Sequence, residues 1–144
     1  MEAVAVRAPH VAPWLRWMVW LGRLVSCAPV AIVLMSARWK LTSNPWYVQE
    51  FGRIGWATPM LPVLASLQLA AIVLYVIPHT AVLGAVLLTG YLGGAIASYV
   101  RIGEFYPPLV PFTTAVLAWA GLFLRDERIR GLLPFRRAAR QTQR

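Results

Sequence analysis

Polar residues fall along this chain mainly as short breaks between long apolar runs. Four runs stand out, at 17–37, 59–77, 81–100 and 107–124. Each approaches the roughly 20 residues that a helix needs to cross about 30 Å of hydrocarbon. The third is cleanest, with no charged residue between Ala81 and Val100. Arg23 interrupts the first, and Pro29 predicts a bend in it. Only Pro78, His79 and Thr80 separate the second and third runs, so those helices are expected as antiparallel neighbours. Membrane strands would alternate polar with apolar at a period of two, and no such alternation is visible. The pattern predicts an all-α, integral-membrane four-helix bundle, a single four-span domain over 1–144 with a basic tail at 125–144.

Small residues pattern the helices further. At about 100° per residue, Gly90, Gly94, Ala97 and Arg101 share one face of the third run. Gly93 and Ser98 flank that face, and Leu88, Leu92 and Tyr99 lie opposite. In lipid no hydrophobic force drives helices together, so small residues gain van der Waals contact through close backbone approach. Gly90, Gly93, Gly94 and Ala97 are therefore expected as a helix-packing seam against another span of the same chain, with a second copy as the alternative partner. They are not a nucleotide loop, because no strand precedes them. Ala65, Gln68, Ala71 and Tyr75 align in the second run, and Thr114, Ala118 and Gly121 in the fourth, toward Arg125. Polar groups at such depths should face inward. Gln68, Thr89 and Thr114 are expected to hold the bundle together by hydrogen bonds. A ligand pocket near Gln68, Thr89, Tyr91 and Arg101 is the sharper alternative.

Composition agrees with a membrane setting. Of the 144 residues 59% are hydrophobic and 13% charged, against about 25% charged in soluble domains. The net charge of +9 could point to nucleic acid, but ten of the 14 Lys and Arg residues lie toward the chain ends, three up to Arg23 and seven from Arg125 onward. No basic-aromatic module is left for a nucleic-acid face. Arg38, Lys40, Arg53 and Arg101 fall on the opposite side. The positive-inside rule then puts both termini in the cytoplasm of a cell inner membrane. Trp14, Trp17 and Trp20 would mark one interface, and Trp39, Trp46 and Trp56 the other. Met35, Ser36 and Ala37 make a poor signal-peptidase site, so the first span is expected to stay uncleaved.

The inventory of reactive groups is short. Cys27 is alone, so neither an internal disulfide nor a CxxC pair can form. His10 and His79 fall outside the runs, and no metal-ligand spacing exists. The five acids, Glu2, Glu50, Glu104, Asp126 and Glu127, also avoid the runs. No catalytic residue, metal site or resident cofactor is expected.

Several stretches taken in order resemble one family. "LMSARWKL" is similar to the end of a first span, and "GRIGWATPMLPVLASLQLAAIVLYVIP" to a second helix with its glycine-aromatic lead-in. "AVLGAVLLTGYLGGAIASYVRIGE" and "LFLRDERIRGLLP" complete the series from Leu34 to Pro134. Together they resemble the DoxX-like proteins, small four-span bacterial membrane proteins. That resemblance implies a setting near thiosulfate:quinone oxidoreductase or thiol-redox and oxidative-stress partners. Two positions depart from it: Gln68 stands where many relatives have glutamate, and Tyr99 where many have histidine. Titrating groups are lost at both. Two functions stay open. One is a non-catalytic membrane subunit or scaffold for partner proteins, redox enzymes among them. The other is a quinone- or lipid-binding component of a membrane oxidoreductase.

Overall fold

The apolar runs become helices whose ends are set by local capping chemistry. A computed structural model describes residues 13–126 and Ile129. Helix α1 (Pro13–Leu41) runs through the buried Pro29 and continues past the predicted end at 37. Its last carbonyls are taken up by the Ser43 N–H on Lys40 and the Asn44 N–H on Trp39. This closure puts Ser43 at φ 48°, a left-handed conformation that costs a side-chain-bearing residue roughly 1–2 kcal/mol. The chain then turns directly into α2 (Pro45–Arg53), a short helix that hydropathy did not predict. Asn44 caps it by accepting from the Trp46 N–H, and Pro45 occupies its first turn, where a missing N–H costs nothing. At Gly55, φ +87°, the chain leaves α2 by the same closure, with the Trp56 N–H on the Phe51 carbonyl.

A 3-10 turn, Thr58–Met60, leads into α3 (Leu61–Val76). Helix α4 (Ala81–Arg101) returns antiparallel, and α5 (Leu109–Arg125) completes the described helices. The stretches Trp17–Leu41, Thr58–Val76 and Ala81–Arg101 are long and apolar enough to cross a bilayer, while α5 is apolar but 17 residues long. Helix α1 packs on α3 and α5, and α4 packs on those same two helices. The faces read for α3 and α5 are indeed interior: Ala65, Gln68, Ala71 and Tyr75, and Thr114, Ala118 and Gly121, are all buried.

Tyr75 ties three helices at one end. Its hydroxyl donates to the Ala118 carbonyl at 2.8 Å and lies 3.1 Å from Ser26 Oγ. The Arg125 guanidinium caps the Tyr75 carbonyl at 2.7 Å and lies 4.6 Å from its ring centroid. Close helix approach makes this possible. A Cβ at Gly22 would sit 2.7 Å from the Arg125 backbone nitrogen, and one at Gly121 would strike Ser26.

The expected packing of the α4 seam against another span of the same chain is corrected by the structure. Leu88 and Leu92 are buried with Ala81, Gly84 and Ala85, whereas Gly90, Gly93, Gly94 and Ala97 are exposed. A Cβ on Gly90, Gly93 or Gly94 would meet nothing within 4 Å. The glycine that does touch another helix is Gly84, whose face lies against the Leu74 and Tyr75 backbone. Gly84→Ala should therefore destabilise the chain by about 1–3 kcal/mol through overpacking. Gly94→Ala should stabilise it by about 0.5–1 kcal/mol, because a helix interior prefers alanine. Thermal melting of the two variants in mild detergent checks the opposite signs.

Candidate functional site

A lysine ammonium lies in the interior where α1 meets α2. Lys40 is 3% exposed, though its neighbours Trp39 and Leu41 are not buried. Helical spacing explains this, because Val33, Ala37 and Lys40 fall on the buried stripe of α1 with Ser36 at its edge. Lys40 Nζ donates to Ser36 Oγ at 2.6 Å, one turn back, and to Gln68 Oε1 on α3 at 2.8 Å. Gln68 Nε2 donates to the Val33 carbonyl, which fixes the amide so that its oxygen faces the ammonium. The Tyr47 hydroxyl reaches Ser36 Oγ at 3.3 Å.

Aromatic rings complete the enclosure. The ammonium lies 5.4 Å from the ring centroids of Tyr47 and Phe51 and 5.7 Å from that of Tyr91. Ring faces carry negative quadrupole potential, so this setting suits a cation. Tyr47 and Phe51 stack at 5.7 Å, while Trp39 and Trp46 lean on Tyr47 at 5.4 and 5.3 Å. Helix α2 thus supplies the wall that closes over Lys40.

Beside Lys40 lies a cavity of about 480 Å³ reached by α1, α2, α3, α4 and α5, within the size range of ligand pockets. Its wall is mainly apolar, and Ile32, Met35, Trp46 and Val110 carry that character to the exposed surface. Glu50 and Tyr99 also line it. Arg53 binds the Glu50 carboxylate through Nε at 3.0 Å and Nη2 at 2.6 Å, and pairs with Glu104 after α4. Hydrogen bonding from Arg53, helped by Tyr99, holds the Glu50 carboxyl below the usual carboxylate range, against the upward push of burial. The link anchors α2 to α4. Arg101 Nη2 on the Ile54 carbonyl at 2.6 Å and Trp56 Nε1 on Ser98 Oγ at 3.2 Å reinforce it.

The residues expected to form a pocket divide. Gln68 and Tyr91 line this cavity. Thr89 does not: its hydroxyl donates to the Ala85 carbonyl and accepts from Trp119 Nε1 at 2.8 Å, in a separate groove between α4 and α5. Arg101 is spent on the Ile54 carbonyl. Lys40 was missed because a basic residue after an apolar run reads as a loop charge. Its spacing of four from Ser36, with Trp39, Trp46, Tyr47 and Phe51 close by in sequence, was the available signal. Among the described residues, no group of three His, Cys, Asp or Glu is placed to hold a metal ion.

Residues 24–121 match the sequence model of the DoxX-like family. The chain belongs to the DoxX-like family. No curated protein and no solved structure matches it. The matched stretch of this DoxX-like protein contains the entire cavity wall, from Ile32 to Thr114.

The lowered Glu50 pKa has a signed consequence. Its stabilising contribution is complete above about pH 4.3, the ordinary glutamate value, and is lost as pH falls through the lower folded value. Glu50→Gln should melt below the wild type at pH 7, and the gap should close in acid once Glu50 is protonated. Melting curves across pH 3–7 check this.

Proposed function

We propose that this DoxX-like chain is a multi-pass membrane protein that receives a bilayer-borne amphiphile, of the quinone or lipid class, on behalf of a partner enzyme. The observation that carries the reading is Lys40, a buried ammonium ringed by aromatic faces beside a cavity with an apolar, exposed rim. Lys40 Nζ and the Tyr91 hydroxyl are donors suited to a carbonyl or other acceptor head, and Tyr47 and Phe51 offer flat surfaces to a ring. Ile32, Met35 and Val110 lead from the cavity to the surface that lipid tails would cover. A quinone, when bound, carries electrons between enzymes. This chain's own residues bind and orient the head, and the partner supplies the redox chemistry.

The apolar helices and the charge asymmetry support four spans with both termini cytoplasmic, α5 being at the short limit of spanning length. The cavity would then open toward the extracytoplasmic half of the bilayer. Reporters fused to the C-terminus should be active only when they require the cytoplasm; periplasmic activity would overturn this topology.

A specific observation also favours the scaffold reading. The outward face of Gly90, Gly93, Gly94 and Ala97 leaves room for the backbone of a helix from a second copy or a partner. Native mass spectrometry of gently purified protein tests both readings. The wild type should retain an extractable quinone or lipid that Lys40→Met loses, by about tenfold or more in affinity. Association with a copy or partner should weaken in Gly94→Leu while the monomer stays folded. A wild type with no adduct, or an adduct equally held by Lys40→Met, would overturn the pocket reading.

A further inference from the structure

The partners of Lys40 narrow the class of ligand. Both oxygens that accept from its ammonium, Ser36 Oγ and Gln68 Oε1, are uncharged. Among the described residues Arg53 is the cation in each ion pair, and Lys40 makes none. Glu50, the carboxylate that lines the same cavity, is engaged by Arg53 and hydrogen-bonded by Tyr99. Glu104 is turned to Arg53 as well. That triad sets one guanidinium against two carboxylates and so keeps one net negative charge, but it is partly exposed, where water screens its field. Asp126 lies beyond α5, lining a cavity with Arg23 and Arg125. A buried cation held by neutral dipoles and ring faces is stabilised less than one given an anion, because two opposite full charges attract more strongly than a charge and a dipole, most of all where the dielectric is low.

The remaining polar groups around the cavity do not offset this charge. The Thr114 hydroxyl donates to the Val110 carbonyl one turn back, and the Tyr47 hydroxyl is directed to Ser36. The buried end of the site is therefore positive, with the Lys40 ammonium and the Tyr91 hydroxyl as its donors and an apolar exit past Ile32, Met35 and Val110. We infer that the Lys40 cavity selects an amphiphile with an anionic oxygen head, a carboxylate on an apolar chain, whose head pairs with the Lys40 ammonium while the chain leaves toward lipid. The inference rests on the pocket reading above and specifies the head group. A neutral quinone is the competing outcome.

The test is competition for the cavity in the full chain in mild detergent, read by quenching of tryptophan fluorescence with a brominated fatty acid. The competing probes are hexadecanoate, hexadecanol and a benzoquinone bearing a ten-carbon tail. Wild type should prefer hexadecanoate to hexadecanol by about tenfold or more, as expected for an ion pair over an ion–dipole bond to the same ammonium. Lys40→Met, which removes the charge and keeps the apolar stem, should bring that ratio close to one. Gln68→Glu, which places a carboxylate next to Lys40 from within, should do the same by an independent route. If hexadecanol or the quinone competes as well as hexadecanoate in wild type, or if the preference survives in Lys40→Met, the anionic-head inference is overturned while the pocket stands. If the brominated fatty acid quenches nothing and no probe binds, the pocket reading falls with it.

Discussion

Housing one ammonium group governs the structure at the α1–α2 end of the helices. A charge removed from water is costly unless dipoles or an opposite charge replace the lost hydration. Here the replacement comes from three directions. Ser36 lies one turn back on α1, Gln68 reaches across from α3, and Tyr47, Phe51 and Tyr91 present their rings. Each is delivered by a different backbone device. Helical periodicity places Ser36, and the bond to the Val33 carbonyl orients Gln68. The tight exit from α1 through Ser43 and Asn44 throws α2 back so that its aromatic side covers Lys40. Arg53, Arg101 and Trp56 then tie the α2 segment to α4 and its following loop. The cavity is what these constraints leave between the five helices.

The opposite end is organised by close approach rather than charge. Gly22 and Gly121 let α1 and α5 come together, and Gly84 lets α4 lie against the end of α3. Tyr75 fills the space between them and satisfies its hydroxyl on Ser26 and Ala118. In a lipid solvent the gain comes from packing and hydrogen bonding, not from removing apolar surface from water. Broad exposure of Leu24, Leu67, Val82 and Val86 on the outer faces fits that setting.

How much was legible in the sequence depended on which physical signal was read. Run length gave the four long helices, because apolar composition over some 20 residues is a strong signal. Boundaries drifted where polar residues stayed helical: Arg38 and Lys40 look like a loop, yet α1 carries them to Leu41. Helix α2 was invisible to hydropathy since it is nine residues of mixed polarity, although Asn44-Pro45 and Gly55 are its start and stop signals. The α4 glycines show the limit of periodicity. At about 100° per residue, Gly90, Gly93, Gly94 and Ala97 occupy one arc, and Ala81, Gly84, Ala85, Leu88 and Leu92 the arc opposite. Periodicity separates the two arcs but does not say which faces the neighbours. That choice falls to the tight turn after α3, which brings Gly84 against Tyr75. In the site, Gln68 and Tyr91 were legible as polar positions on apolar helices, while Lys40 was hidden by its place at a span's end.

Gln68 explains why this arrangement suits capture better than internal neutralisation. A carboxylate at that position would pair with Lys40 inside the fold, and the ammonium would have little further to offer a guest. An amide contributes one accepted hydrogen bond and uses its own N–H on the α1 backbone, so it positions Lys40 without cancelling its charge. The aromatic rings act in the same sense, since their faces attract a cation but supply no counter-charge. Glu50 stays on the cavity wall yet is held by Arg53, which keeps it from collapsing onto Lys40. The protein thus maintains a buried positive centre beside an apolar cavity by tying the nearby acids, Glu50 and Glu104, to the shared Arg53 at the exposed edge. An occupant with an acceptor at one end and an apolar body at the other matches both halves of that arrangement.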